Sequence, residues 1–370
     1  MKVSLSKPNI SNKELQIIKD NLRSKWLTHG PNNLKFESNF SKLIGSRYSI
    51  SMNSCTSALE CALKLLKKKG EVIIPSWTWV STGNVVLNTG NIPVFADVEI
   101  NSRNITAETI EKKLTKKTVA IIAVHYAGLM CEMDEIKKLA SKRNILLIED
   151  SAECLGGTYK KKYSGSFGIG CFSFFPTKNI TTTEGGMLTT NSKKKFEYVK
   201  KLIAHGINKN LKKKPWHRVA SLPGHNFRMP NHLAALGISQ LSRLKKFNKK
   251  RELVARKYNN FFKNYPRIFE IQKVTKDFYH SYQMYSVIIK KKYRDNLLVF
   301  LNKNKIEASC HFDPPLHMQP YMKKFKNKDL KNTEFLSKSI ITLPIYPDLK
   351  NKELNYIFNK ISSWLKTQND

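Results

Sequence analysis

Short apolar runs alternate along the chain with stretches in which apolar residues recur every three or four positions. The runs, bounded by Gly, Pro, Asn or Asp, read as buried strands; the periodic stretches read as helices with one core-facing stripe. This pattern predicts a helix over Asn12–Arg23, a strand over Tyr48–Met52 and a helix over 58–68. Glu71–Pro75 follows as a strand and leads into a helical stretch through Leu87, and Ile92–Ala96 is a strand that ends at Asp97. A helix near 107–114, a strand over 119–125, a helix over 134–142 and a strand over 145–148, closing at Glu149-Asp150, complete the series. Such alternation specifies an α/β fold with a mostly parallel sheet covered on both faces. A long helix over 231–258 leads to a smaller α+β unit, with a strand at Tyr285–Ile289 and helices over 293–302 and 352–366. The expected division is a large domain over 1–250, including the N-terminal helix, and a small domain over 251–370.

Composition adds bounds. A chain of 370 residues, 41% of them hydrophobic, can bury the core of two domains. Met1-Lys-Val-Ser-Leu-Ser-Lys-Pro8 lacks the apolar core of a secretory signal, and runs such as Val119-Ala-Ile-Ile-Ala-Val124 are too short to span a bilayer. A cytoplasmic protein without membrane insertion is expected. The six cysteines, at 55, 61, 131, 154, 171 and 310, include no CxxC pair, so neither a disulfide framework nor a metal site is expected. Basic residues outnumber acidic ones by 65 to 28, a formal charge of +37. The lysines are dispersed, with no arginine-rich block and no aromatic interleaving, which reads first as a generic basic surface, second as help in drawing in a phosphorylated substrate, and last as a nucleic-acid interface.

Ligands of parallel sheets bind beyond the carboxyl ends of the strands, where the polar segments 53–57, 76–79, 150–153 and 173–178 fall. Asn53-Ser-Cys-Thr-Ser57 opens a helix, so its backbone N–H groups and the Thr56 and Ser57 hydroxyls suit a phosphate; an ordinary N-cap uses the same residues. Asp150 closes a strand, placed either to pair with a protonated ring nitrogen or to cap the next turn. Trp79 is either core or an indole stacked on a planar ring. Ser173 can add a hydroxyl to a phosphate site. Lys178 follows Cys171-Phe-Ser-Phe-Phe-Pro-Thr and precedes a Thr/Gly-rich turn, unlike the lysines of polar runs such as Lys193-Lys194-Lys195. It is either a strand-end lysine reaching solvent or an amine activated by burial, as a Schiff-base lysine must be. A phosphate cradle, a stacking indole, a ring-nitrogen carboxylate and an activated lysine together describe a pocket for pyridoxal phosphate.

The order Thr56-Ser57, Trp79, Asp150, Ser173, Lys178 and then Gly224-His-Asn226-Phe-Arg-Met229 resembles the fold-type-I aminotransferases of the DegT/DnrJ/EryC1/StrS family, which act on nucleotide-linked keto sugars. The resemblance runs from Trp26-Leu-Thr-His-Gly-Pro31 to His311-Phe-Asp-Pro-Pro-Leu-His317. It is most specific in Glu149-Asp-Ser-Ala-Glu-Cys-Leu-Gly156 and in the stretch from Phe172 to Gly186, and it looks nearest to 4-aminotransferases of the GDP-perosamine synthase kind. It implies a large domain with a mostly parallel mixed sheet and a smaller C-terminal α+β domain. It also implies a homodimer with shared sites, pyridoxal 5'-phosphate and its pyridoxamine form as cofactor, and L-glutamate as amino donor. The amine would pass to the keto carbon, C4, of a nucleotide-linked keto-deoxy sugar, for amino-sugar and surface-polysaccharide biosynthesis.

By the same resemblance Lys178 is the Schiff-base lysine and proton shuttle, Asp150 holds the pyridine nitrogen and Trp79 stacks on the ring. Thr56, Ser57 and Ser173 bind the phosphate, joined by Asn226 from the other subunit, and Glu153 lies near the ring hydroxyl. Arg228, His311 and His317 fall where the family meets its substrate. Two residues depart from the family pattern: Cys55 and Thr183 stand where glycine is usual, which puts turn geometry in question. The alternatives are a sugar dehydratase of the same family, which carries histidine at the lysine position, and a non-catalytic cofactor-binding regulator; the retained Lys178 argues against both.

Overall fold

The computed structural model describes residues 1–208, 211, 213–325 and 329–368. Helix α1 (Asn12–Arg23) begins with a reciprocal cap: Ser11 Oγ accepts from the Glu14 amide, and the Glu14 carboxylate accepts from the Ser11 amide. Helix α2 (Pro31–Ile44) is absent from the sequence-based expectations. Its buried Phe36, Phe40 and Ile44 recur every fourth residue, proline opens it, and Gly45 ends it at φ 76°.

Strand and helix then alternate as expected: β1 (Tyr48–Met52), α3 (Cys55–Leu63), β2 (Glu71–Pro75), α4 (Val80–Asn88), β3 (Ile92–Ala96), α5 (Ala107–Glu111), β4 (Thr118–Val124), α6 (Met133–Lys142) and β5 (Leu146–Asp150). Helix α3 starts at Cys55, ahead of the predicted 58, because Ser54 Oγ accepts from the Ser57 amide at 3.1 Å. It ends at Leu63, short of 68, before Lys67-Lys68-Lys69 turns to solvent. The short strands β6 (Thr158–Tyr159) and β7 (Lys162–Tyr163) follow, then β8 (Ile169–Ser173), β9 (Gly186–Thr190) and α7 (Lys193–Leu202). The rest of the chain forms α8 (Asn231–Phe262), β10 (Phe269–Ile271), β11 (Phe278–Tyr279), β12 (Tyr285–Ile289), α9 (Lys291–Lys303), α10 (Lys331–Ser339), β13 (Ile340–Leu343) and α11 (Asn351–Lys366).

The main sheet has the order β1-β9-β8-β5-β4-β2-β3. Strands β3, β2, β4, β5 and β8 pair in parallel, and β9 alone is reversed, antiparallel to both β8 and β1. The two-residue period of a strand sends Val72, Ile74, Ala120 and Ile122 to the face covered by α3, α4 and α7. Ile73, Ile121 and Ala123 face α5 and α6 on the other side. A third cluster ties α2 and α8 to β8, with the Phe40 ring 4.9 Å from Phe172 and 5.8 Å from Phe174.

Helix α8 crosses the expected boundary at 250 without a break. Ala234, Leu244 and Phe247 pack on the third cluster, while Val254, Tyr258 and Phe262 enter the core of the smaller unit, built on the antiparallel sheet β10-β12-β13 with α9 and α11. Val3 belongs to that same core and bridges Ile306, so the N-terminal segment lies on the small unit. Among the described residues no helix is long and apolar enough to cross a membrane.

Phe40 is wholly buried where three elements meet. Phe40→Ala is expected to reduce the unfolding free energy by about 3–5 kcal/mol, read from the midpoint of urea denaturation; a change below about 1 kcal/mol would show that α2 contributes little to the core.

Candidate active site

The carboxyl ends of β1, β2, β4, β5 and β8 lie at one edge of the main sheet, and residues at or just beyond them border a cavity of about 460 Å³. Thr56, Trp79, Asp150, Glu153, Ser173, Lys178 and His311, all singled out in the sequence, line it. They reach it from separate strand ends and from the small unit.

Asp150 ends β5 and is 5% exposed. Its Oδ2 accepts from Thr82 Oγ1 at 3.1 Å and its Oδ1 from the Ala152 amide at 3.2 Å. Burial pushes its pKa above the ordinary carboxylate value and outweighs these hydrogen bonds, which pull the other way. Its neighbour Glu149 points elsewhere. That carboxylate is wholly buried, accepts from the amides of Gly165, Phe167 and Gly168 at 2.9, 2.7 and 2.7 Å, and lies 3.2 Å from His125 Nε2. Glu149 therefore anchors a loop, and Asp150 is the acid that faces the cavity.

Lys178 closes the turn after β8, its amide donating to the Phe175 carbonyl at 2.9 Å. The side chain is 16% exposed and its Nζ lies 3.7 Å from Glu153 Oε1. Glu153 is fixed in turn through Oε2, which accepts from the Ala127 amide at 2.9 Å. The apolar flank in the sequence gave no sign of this carboxylate; its signal, Glu153 three residues after Asp150, was read for another role.

Thr56 borders the cavity, but Ser57 does not: its Oγ donates to Asn53 Oδ1 at 2.7 Å, outside the lining. The N-cap use of this segment thus occupies Ser57 and leaves Thr56 to a ligand. Trp79 is 59% exposed on the cavity wall, whereas Trp77 is the core indole of the pair. Cys55 is an ordinary first residue of α3 with negative φ, so its Cβ raises no turn problem. Thr183 does adopt φ 66°, with its amide donating to Thr181 Oγ1 at 2.9 Å; the left-handed turn survives without glycine. Gly186 cannot be replaced so easily, because a Cβ there would overlap the Ser54 carbonyl and part the start of β9 from α3.

The substrate histidines separate. His311 borders the cavity, its Nδ1 3.1 Å from Thr342 Oγ1, and burial lowers its pKa. His317 corrects the expectation: it is fully buried away from the lining, with Nδ1 2.6 Å from Ser76 Oγ and Nε2 3.4 Å from Glu334. Packing behind the end of β2 uses both nitrogens. Asn226 and Arg228 also lie outside the cavity of their own chain, Asn226 exposed beside Ala204 and Arg228 beside His205. Sequence reasoning missed Leu5, Ser6, Glu184, Gln283 and Thr342, which complete the wall. Glu184 stood inside a quoted motif; the others carry no local pattern.

Comparison with known proteins gives the family. The DegT/DnrJ/EryC1/StrS aminotransferase family model matches residues 8–362, and the chain belongs to that family. It is 34% identical over 367 residues to the GDP-perosamine synthase of Escherichia coli O157:H7, covering 98% of each chain. It is 33% identical over 377 residues to the spore coat polysaccharide biosynthesis protein SpsC of Bacillus subtilis, covering 98% of this chain and 96% of that one. Among solved structures, Helicobacter pylori PseC, an aminotransferase involved in the biosynthesis of pseudoaminic acid, superposes with a TM-score of 0.94 at 30% identity over 99% of this chain and 100% of that one.

Asp150 carries a stability consequence. The folded chain holds its proton more tightly than the unfolded chain does, so its stabilising contribution is present at low pH and is lost as pH rises through the raised pKa. Above that value the buried carboxylate is a net cost. Asp150→Asn is therefore expected to raise the melting temperature of the ligand-free protein at pH 7, with the gap to wild type closing toward pH ~4. Calorimetry across pH 4–8 checks this, and a gap that does not vary with pH would contradict it.

Proposed function

We propose that the chain is a pyridoxal-phosphate-dependent aminotransferase that carries an amino group from L-glutamate to C4 of a nucleotide-linked keto-deoxy sugar. Its place is amino-sugar and surface-polysaccharide biosynthesis, in the cytoplasm. The observation that carries this reading is that Lys178 and Asp150 border one cavity at the carboxyl edge of the sheet, with the N-terminus of α3 opening onto it. The names of the relatives support it: a GDP-perosamine synthase, a spore coat polysaccharide biosynthesis protein and an aminotransferase of pseudoaminic acid biosynthesis.

The residues present fit the cofactor. Asp150 is a buried carboxylate whose hydrogen-bond donors among the described residues are one hydroxyl and one amide. A protonated ring nitrogen is the partner that would favour its charged form. The first-turn amides of α3 and the hydroxyls of Thr56 and Ser173 suit the phosphate, Trp79 offers an exposed indole to the ring, and Glu153 serves the ring hydroxyl. Lys178 would hold the group through Nζ. When bound, the pyridinium ring supplies an electron sink for the carbon bearing the amino group.

The chain's own part in the reaction is proton handling and positioning. Lys178 Nζ carries the proton between the reacting carbons, and Glu153, 3.7 Å away, keeps the amine at the cavity side. Trp79, Phe175 and Phe312 give the cavity an apolar part of its lining. His311 and Arg228 are assigned to the substrate. Asn226, outside the cavity of its own chain, is assigned to the phosphate of a neighbouring copy, which makes the active unit a homodimer. Both half-reactions use one cavity, so ping-pong kinetics follow.

Purified protein supplied with the cofactor should absorb at roughly 410–430 nm and bleach on adding L-glutamate. Lys178→Ala should lose that band while keeping the wild-type melting curve, and its turnover should fall by roughly a thousandfold or more. Screening GDP-, UDP- and dTDP-linked keto sugars for release of 2-oxoglutarate identifies the acceptor. A wild-type protein that never takes up the cofactor would sink the proposal.

A further inference from the structure

We propose that Thr82 is a positioning residue for Asp150, its hydroxyl orienting the carboxylate and favouring its charged form, an inference that rests on the aminotransferase reading of the same cavity. Thr82 Oγ1 lies 3.1 Å from Asp150 Oδ2 and 2.9 Å from Thr78 Oγ1. Thr82 is fully buried, while Thr78 and Asp150 both border the cavity. A carboxylate only accepts, and a hydroxyl has one proton to give. With Asp150 ionised, Thr82 must donate to it, so the remaining contact must run from Thr78 to Thr82. Thr78, Thr82 and Asp150 thus form a chain of hydrogen bonds with one direction, which can reverse only when Asp150 carries the proton.

The start of α4 is built for this contact. Thr82 is the third residue of the helix, and its amide donates to the Trp79 carbonyl at 3.2 Å. A helical threonine commonly spends its hydroxyl on a carbonyl of the preceding turn. Thr89, at the other end of α4, does so, with Oγ1 2.7 Å from the Val85 carbonyl. Thr82 instead reaches across to the end of β5. Its branched Cβ leaves the side chain few rotamers, and one turn of backbone joins it to Trp79, the exposed indole of the cavity wall. The other Asp150 oxygen accepts from the Ala152 amide at 3.2 Å. Each oxygen therefore has a donor from a different element, which resists rotation of the carboxylate.

The charge on Asp150 needs this support. Burial raises its pKa, and the Glu153 carboxylate acts in the same direction. The hydrogen bonds from Ala152 and Thr82 and the ammonium of Lys178 act the other way. The thiols of Cys55 and Cys171 also feel the carboxylate, but burial pushes both of them up and keeps them neutral. Without the Thr82 hydroxyl, burial is opposed less and the folded-state pKa moves further up. A neutral Asp150 cannot favour a protonated ring nitrogen over a neutral one. Among the groups that favour the charge, Thr82 is the one that can lose its contribution without a change to the cavity lining or the backbone.

Two measurements test this. The first is calorimetry on the full chain without cofactor, with Thr82→Val, which keeps the side-chain shape and loses the hydroxyl. Because the variant raises the folded-state pKa of Asp150, its destabilisation is fully present above that pKa and shrinks as falling pH protonates Asp150. Its melting-temperature deficit against wild type is expected to be at least about 2 °C larger at pH ~8 than at pH ~4. In an Asp150→Asn background the deficit should not vary with pH. The second measurement follows bleaching of the cofactor band of the holoenzyme at saturating L-glutamate. Thr82→Val should slow it by about tenfold or more, while Thr82→Ser, which keeps the donor, should stay within about threefold of wild type. If Thr82→Val does not fold, Thr82→Ala takes its place in both measurements. A deficit that does not vary with pH, a valine variant as fast as wild type, or valine and serine variants slowed alike would overturn the assignment of Thr82. A wild type that never takes up the cofactor overturns the aminotransferase reading and with it the part of Thr82 in the reaction, while calorimetry still decides its hold on Asp150.

Discussion

The guanidinium of Arg251 sets the shape of the cavity. It projects from α8 with 1% exposure, and its hydrogen-bond partners among the described residues are backbone carbonyls. Burial pulls its pKa down to about 10, so it stays charged at neutral pH, held by carbonyl dipoles instead of a counter-ion. Nη1 lies 3.1 Å from the Gln283 carbonyl, 3.0 Å from that of Ile345 and 3.4 Å from that of Tyr282, and Nη2 lies 3.5 Å from that of Lys178. These oxygens belong to the lysine turn, the stretch before β12 and the stretch after β13. One planar fork thus keeps in register the parts of the wall that come from the two units, which a lysine with its single ammonium head would not do. Glu149 plays the matching part beneath Asp150, since its backbone-held carboxylate pins the loop at 165–168.

How much of this was legible in the sequence depended on how local each cause was. The parallel strands declared themselves because both sheet faces are buried, so Ile73 and Ile74 are apolar for opposite reasons yet read as one run. Helix α2 carries a clear stripe at Phe36, Phe40 and Ile44, but its opening Pro31-Asn-Asn33 looks like a turn and masks the start. The reversal of β9 left no local trace. Its direction is fixed by neighbours that lie more than a hundred residues apart in the chain, at Tyr48–Met52 and Ile169–Ser173.

The site divides the same way. Lys178, Asp150, Thr56 and Trp79 sit in segments whose strand-end position is visible from patterning alone, and the fold delivers them to one cavity. Ser57 and His317 were the right residue types in the right segments with their polar atoms committed elsewhere, and only the hydrogen bonds to Asn53 and Ser76 reveal it. Gln283 and Ser6 were invisible as lining residues because nothing in Tyr282-Gln283-Met284 or Leu5-Ser6-Lys7 differs from ordinary strand and coil; the contacts of Arg251 and Ile345 bring their segments to the wall.

Charge completes the argument, because the chain and its cavity differ in sign. Across the sequence the formal charge is +37. The described lining nevertheless carries three carboxylates, Asp150, Glu153 and Glu184, against the one ammonium of Lys178. A phosphate-bearing ligand is therefore drawn by the basic surface only until it reaches the mouth, since exposed charges act over about 8 Å at physiological ionic strength. Inside, the local side-chain charges of this copy oppose an anion. Its phosphates must be met by oriented dipoles, such as the amides at the start of α3, and in the proposed homodimer by groups of the second copy. The long-range field therefore selects anions in general and does not distinguish one from another. Discrimination among anions therefore falls to short-range contacts inside the cavity, beyond the reach of the surface field.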